Sequence, residues 1–285
     1  MKSVIRSVGV RRALVAAVAS ASAMLLGLAP SSARAATIDL GQAGGYAVFA
    51  LDSFQYNGPG SIVGNVAVGQ STNFASPATI TGTVFLNNGV QQQGNITPTG
   101  GFVTKDLSQA ISDATTAASN FDALTPTQTL GTLGNNSSVT GNGGTNVVNV
   151  SAIDMSNGTL TLHGSASDIF IINDSGQFKS SNSDIVLSGG VTANHIVFNV
   201  SGNVAITGGG PVNFYGTILA PNSDISVHDK NLQGEVIGRT IEDTSGFTIN
   251  NVKAVPGPSP LIGSAALLAT LGLGCVWKRR NRATA

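Results

Sequence analysis

The side chains able to do chemistry in this 285-residue chain are few, and their spacing serves chemistry poorly. His163, His195 and His228 are widely separated, and no H-x-x-x-H or H-E-x-x-H pair places two imidazoles on one helix face for a metal. His228-Asp229 offers a base beside an acid, yet no serine stands in a G-x-S-x-G turn to act as nucleophile. Facing carboxylates can hydrolyse a glycoside, and Glu235, Glu242 and Asp243 are the acids nearest one another. They also read as corner and loop acids of an acidic domain. Asp154, Asp168, Asp174, Asp184, Asp224 and Asp229 mostly precede strands or sit at turns, where an Asx side chain satisfies nearby backbone groups. The calcium-loop patterns D-x-[DN]-x-[DN]-G and G-G-x-G-x-D are absent. Gly141-Asn142-Gly143-Gly144 has no helix behind it to cradle a phosphate. No catalytic residue, cofactor or metal is assigned, and the chain reads as non-enzymatic.

Threonine offers a different kind of chemistry, recognition by a surface. Thr79, Thr81 and Thr83 make one outward row, and Thr159 with Thr161 makes another. A flat array of hydroxyl and methyl groups is what an ice- or surface-binding face requires. Threonine is equally an ordinary strand residue on a pleated surface.

These rows need strands to hold them. Short β-branched runs bounded by Gly and Asn fill the chain, among them Tyr46–Leu51, Ile62–Val68, Thr79–Leu86, Asp168–Ile172 and Val212–Leu219. Ser61-Ile62-Val63-Gly64-Asn65-Val66-Ala67-Val68 aligns with Thr79-Ile80-Thr81-Gly82-Thr83-Val84-Phe85-Leu86, eighteen residues on. Phe214–Ala220 aligns with Leu232–Gly238 at the same interval. Eighteen residues at about 3.3 Å each make one triangular coil with three short sides, and periods near twenty indicate a solenoid whose coils cover one another's apolar faces. A β-sandwich is the alternative. From Lys105 to Leu124, apolar residues at 107, 110, 111, 114, 117, 118, 121 and 124 mark one face of a helix, with Thr104 as N-cap and Pro126 as stop.

The ends differ from this middle. Lys2, Arg6, Arg11 and Arg12 precede an apolar run to Leu28, and Ala33-Arg34-Ala35 follows, the layout of a secretory signal cleaved between Ala35 and Ala36. Leu261–Trp277 carries no charge and is followed by Lys278, Arg279, Arg280 and Arg282. Such a span is a membrane helix with a cytoplasmic basic tail. The expected organisation is a signal peptide at 1–35, an ectodomain at 36–254, a Pro/Gly linker at 255–260, a transmembrane helix at 261–277 and a basic tail at 278–285. With the ends removed, residues 36–255 keep five basic and fourteen acidic residues, a net charge of minus nine. That sign excludes nucleic acid as a partner. Cys275, the one cysteine, lies in the apolar span, so the ectodomain is stabilised without disulfides.

Val255-Pro256-Gly257-Pro258, followed by the apolar span and Lys-Arg-Arg, resembles the PEP-CTERM sorting signal, which implies processing by an exosortase-type enzyme. It departs from that motif at Gly257, where the family has Glu. The middle resembles the bacterial ice-binding-protein-like fold. The residues that carry the likeness are Leu40-Gly41 with Tyr46–Phe49, the Ile-x-Gly-x-Val pairs, the helix, Gly158–Leu162, Asp168–Ile172 and Phe214–Ala220. Asn199-Val200-Ser201-Gly202 and Gly216–Asn222 are similar to the related choice-of-anchor A domain. The resemblance implies a right-handed β-solenoid whose helix carries the chain back, so that the final coil stacks beside the N-terminal ones.

The expected function is a non-catalytic, exported, envelope-anchored protein that adheres to another cell surface or to extracellular polysaccharide in a matrix. The alternative is ice binding by a flat solenoid face. A polysaccharide lyase or hydrolase would need paired acids with a basic residue in a cleft, and the scarcity of Lys and Arg argues against it.

Overall fold

The computed structural model describes residues 38–75, 78–208, 212–228, 230–243 and 245–254. The expected signal peptide with its Ala35/Ala36 site, the Val255–Pro258 motif and the 261–277 span lie outside them. No helix among the described residues is long and apolar enough to cross a membrane.

The strands are all paired in parallel and stack into three faces. The coil from Val48 shows how. Val48–Ala50 lies on one face, Ser53–Tyr56 on the second and Ser61–Val63 on the third, and Val66 returns beside Val48. Corners fall where the chain must turn sharply: Gly64 has φ 132° and splits the expected strand 62–68 into Ser61–Val63 and Val66–Val68. Thr79–Leu86 is split in the same way at Gly82. The solenoid expectation holds and the β-sandwich does not.

The uniform eighteen-residue coil needs correction. Val48 pairs Val66, Val66 pairs Val84, Val84 pairs Phe102 and Ile218 pairs Val236, each eighteen residues apart. In the middle Thr145 pairs Ile169, Phe170 pairs Ile196 and Val197 pairs Thr217, intervals of 24, 26 and 20. Longer corners absorb the difference while the strands keep register, because a one-residue slip would turn every core side chain outward.

The chain does not wind in sequence order. Three coils from Val48 to Thr104 come first, and a helix, α1 (Ser108–Asp122), follows. The coils from Gln128 onward then build back until Val236–Asp243 pairs with Val48–Tyr56, closing the last coil on the first. At this junction Tyr56 Oη donates to Phe247 O at 2.9 Å. A Cβ on Gly58 would lie 1.7 Å from Gly246 N, so only glycine lets the two backbones approach.

The interior of the coils is aliphatic with two aromatic clusters among the described residues, and Tyr46, Phe49 and Phe85 make a third on the first face. Phe178, Phe198 and Phe214 have ring centroids 5.3 to 5.8 Å apart, and Phe54, Tyr56, Phe74 and Phe247 form a second stack at the junction. Such offset and edge-on pairs add to the burial of each ring. α1 lies on the first face, hereafter the helix face. Its Ala110, Ala114, Ala117, Ala118 and Phe121 cover Phe49, Ala67, Ile171, Val197, Leu219 and Ile237. The helix is shorter than the expected 105–124. Phe102–Thr104 pairs as the outermost strand of this face, so Thr104 is strand rather than cap, and Leu107 N finds Asn87 Oδ1 at 3.0 Å instead. At its other end Asn173 Nδ2 donates to Phe121 O at 2.8 Å and Asn199 Nδ2 to Ala118 O at 3.1 Å. In-register asparagines thus add side-chain donors to carbonyls of the last helical turn, where Phe121 O otherwise receives only the amides of Leu124, at 3.2 Å, and its neighbour Ala123.

Candidate functional site

The helix face is covered by α1, which leaves the other two faces of the coils open to solvent. The second, or long, face is one unbroken ladder: Thr132–Leu133, Ala152–Ser156, Phe178–Ser181, Val204–Thr207, the second halves of Thr217–Val227, Val236–Asp243 and Val48–Tyr56, then Ser71–Phe74. Its outward side chains include Asp154 beside Lys179, Glu242, and Asp224 paired with Arg239 at 2.8 Å. Charges of both signs run along it.

The third face holds four of the five threonines singled out from the sequence. Its strands are Ser137–Thr140, Thr159–His163 and Asp184–Ser188, then Val212–Tyr215, Lys230–Gly234, Thr248–Asn251, Ser61–Val63 and Thr79–Thr81. The ladder breaks once, between Asp184–Ser188 and Val212–Tyr215, where Asn213 N donates to Asp184 Oδ1 at 2.8 Å. Alternation puts Leu160, Leu162, Ile185, Leu232, Ile249, Ile62 and Ile80 inside and short side chains outside. One outward column runs Ser138, Thr161, Val186; after the break it continues through Tyr215, Gln233, Asn250, Val63 and Thr81. A second runs Asn213, Asn231, Thr248, Ser61 and Thr79. Val63 and Val186 are exposed in this array, and Asp184 is the single carboxylate among its described outward side chains. Neighbouring strands space the side chains within each column about 4.8 Å apart.

Thr159 with Thr161, and Thr79 with Thr81, therefore share a face, but they sit six strand steps apart rather than in one patch. Thr83 does not join them. It follows the Gly82 corner, half-buried, with its N–H donating to Asn65 Oδ1 at 3.1 Å. Val63, Val186, Asn231 and Asn250 fill the row instead, and their signal was present in the sequence as the outward alternates of each strand.

Among the described residues the acids and histidines do not assemble into a reactive centre. Among the described residues no three of His, Cys, Asp and Glu come close enough to hold a metal. Glu235 does stand at a corner as expected, while Asp243 ends a strand; both are fully buried, and Glu242 points outward from the long face. Burial raises the Asp243 pKa, opposed by the Gly246 and Ser245 amides and by His228. Its Oδ1 is held by those two amides at 2.7 and 3.2 Å. Ser226 Oγ lies 2.8 Å from His228 Nε2, but a carboxylate spent on backbone amides does not complete a relay. Asp168 shows the same structural use. Its oxygens accept from Gly143 N, Gly144 N, Asn146 Nδ2, Ser165 N and Ser165 Oγ at 2.7 to 3.1 Å. Desolvation raises its pKa, but these donors outweigh it and hold it at about 2. His163 Nδ1 meets Ser188 Oγ at 2.9 Å at the end of the threonine face.

A family model described as ice-binding-like matches residues 48–253, from the first strand to the end of the last coil. The chain belongs to this ice-binding-like family. Its solenoid is similar to that of an ice-binding protein from an Antarctic Flavobacteriaceae bacterium, at 24% identity and a TM-score of 0.57, covering 77% of this chain and 48% of that one. The chain thus spans about half the length of that bacterial protein. The ice-binding protein of the Antarctic ascomycete Antarctomyces psychrotrophicus matches at 23% identity and a TM-score of 0.57, with 78% and 100% covered. The DUF3494 domain of Shewanella frigidimarina ice-binding protein 1 matches at 21% and 0.54, with 76% and 99% covered. At these identities the likeness is one of fold. No curated protein matches the sequence. The helix and the closure of last coil on first are features that the ice-binding-like resemblance implied.

Proposed function

We propose that this is a non-catalytic exported protein that binds ice through the threonine face. Family membership favours ice over adhesion to another cell surface or to polysaccharide, the first expectation from sequence. The observation that carries the choice of face is its composition: rows of Thr, Ser, Asn and Val on a parallel ladder, with one carboxylate among the described outward side chains. Short hydroxyl, amide and methyl groups at regular spacing can order a first layer of water without the strong hydration shells that charges impose. The long face, though unbroken, carries Asp154, Lys179, Asp224, Arg239 and Glu242, and each holds water in its own geometry. Within the same proposal, Ala35/Ala36 is the export cleavage site, Val255–Pro258 a sorting motif for an exosortase-type enzyme, and 261–277 the membrane anchor.

Incorporation of fluorescently labelled protein into a slowly growing ice hemisphere tests this. The wild type should enter the ice. Thr161→Arg and Thr81→Arg should be excluded, while Ser181→Arg on the long face should enter as before; outward substitutions of this kind cost within about 0.5 kcal/mol of fold stability. Exclusion of the wild type sinks the ice reading. Exclusion of Ser181→Arg alone moves the site to the long face.

A further inference from the structure

The described chain begins and ends at the same place. Ile38–Gly45 and Val252–Ala254 meet over the corner that links Lys230–Gly234 to Val236–Asp243, and that corner residue is Glu235. Its backbone is fixed on both sides: Ile218 N donates to Glu235 O at 2.8 Å, and Val236 N donates to Ala47 O at 2.9 Å. Its side chain is wholly buried, and neither carboxyl oxygen has a well-aligned hydrogen-bond partner among the described residues, although the Ala254 amide lies near enough to favour the charged form. A Cβ placed on Gly44 would lie 3.9 Å from Oε2, so the N-terminal turn passes within a side chain's reach of the carboxyl. Beside it Leu40, Gly44, Lys253 and Ala254 help to line a cavity of about 180 Å³.

A buried carboxylate with so little to bind it is far costlier than the neutral acid. The charged groups around the seam do little to relieve it. Asp39 accepts from Gly41 N at 3.0 Å, and Asp113 of α1 accepts from Gln42 N at 2.8 Å and from Gln109. Lys105 donates to Tyr46 Oη at 3.1 Å. Lys253 is the cation whose field reaches Glu235, and it is exposed.

We propose that Glu235 is a proton-operated latch: as a neutral acid it lets the segments 38–45 and 252–254 close over it, and as a carboxylate it parts them. Burial, opposed by the Ala254 amide and Lys253, raises its pKa from 4.5 to about 8. The sign follows from the raised value. The closed seam keeps its proton where the opened one has lost it, so closure is fully favoured below pH 4.5, weakens as pH rises and reaches its minimum above about 8. Each pH unit in that window multiplies the opening equilibrium by up to about tenfold.

Hydrogen exchange of the full chain between pH 5 and 9, each rate divided by the unfolded-peptide rate at that pH, reads this opening. Amides at 39–47 and 252–254 should lose protection steadily to about pH 8 and then level, while Ile171 and Val197 on the helix face do not follow. Glu235→Gln, which keeps the shape without the proton, should flatten the profile with protection retained. A flat wild-type profile, or an equal slope in Glu235→Gln, overturns the latch. Should the variant not fold, the carboxyl carbon resonance of Glu235 in the wild type decides. A midpoint near 8 supports the latch, and one near 4.5 overturns it.

Discussion

Replacement of Asn199 by alanine should unfasten α1 from the solenoid. The Asn199 side chain is buried at 3% exposure, and its Nδ2 lies 2.8 Å from Asp122 Oδ1, 3.1 Å from Ala118 O and 3.1 Å from Asn173 Oδ1. An amide has two N–H groups, so about two of these are full-strength bonds. A bond to a carboxylate contributes roughly 1.5–3 kcal/mol and a neutral one about 1, and an orphaned buried carbonyl adds its own desolvation cost. The loss should therefore be about 2–4 kcal/mol, read as a lower urea midpoint with the slope unchanged. Asn199→Asp, of the same shape, should cost more. It removes both donors and sets a negative charge against Asp122 and against the negative end of the helix dipole. The deficit of Asn199→Ala should also shrink in acid. Burial already raises the Asp122 pKa while Asn199 lowers it; without Asn199 it rises further, and a raised acid contributes stability present below its unfolded value of 3.8 and lost above its folded one. A loss under about 0.5 kcal/mol, or an aspartate variant no worse than alanine, would refute the capping role.

Phe198→Ala empties the centre of a three-ring cluster and should cost about 3–5 kcal/mol in denaturant unfolding. Gly58→Ala should loosen the junction of first and last coils, because its Cβ falls 1.7 Å from the Gly246 nitrogen; faster proteolysis near 58 and 246 would report it. Asp168, held at about pKa 2 against an ordinary 3.8, contributes stability present above pH 3.8 and lost as pH falls toward 2. A Tm-against-pH series should show that acid limb in the wild type and a shallower one in Asp168→Asn. Arg239→Ala removes a surface ion pair with both partners about half exposed, and should change stability by no more than about 1 kcal/mol.

The two regular stretches of the solenoid were readable because nothing interrupts them: Ser61 stacks on Thr79 and Phe214 on Leu232, as their alignment requires. The coils between Thr145 and Thr217 were not, because corners such as 188–194 lengthen without disturbing the strands, and a length added at a corner erases a period while leaving the fold intact. Helix α1 was legible from its alanine stripe, but its start was not. Phe102–Thr104 has strand and helix neighbours to choose between, and pairing with Val84–Leu86 decides it. Thr83 was misread because an alternation counted across Gly82 ignores the turn that glycine makes. The buried acids were hidden for a related reason. Glu235 stands at a corner and Asp243 ends a strand, positions where sequence leads one to expect solvent; the closure of the last coil on the first buries Asp243, and residues 38–45 and 252–254 help to cover Glu235.

Thermal hysteresis of the purified protein, observed on single ice crystals, tests the central claim most directly. Ice binding through the threonine face predicts faceted crystals and a freezing point held below the melting point, with both effects abolished by Thr161→Arg. Round crystals with no gap at any protein concentration would contradict it.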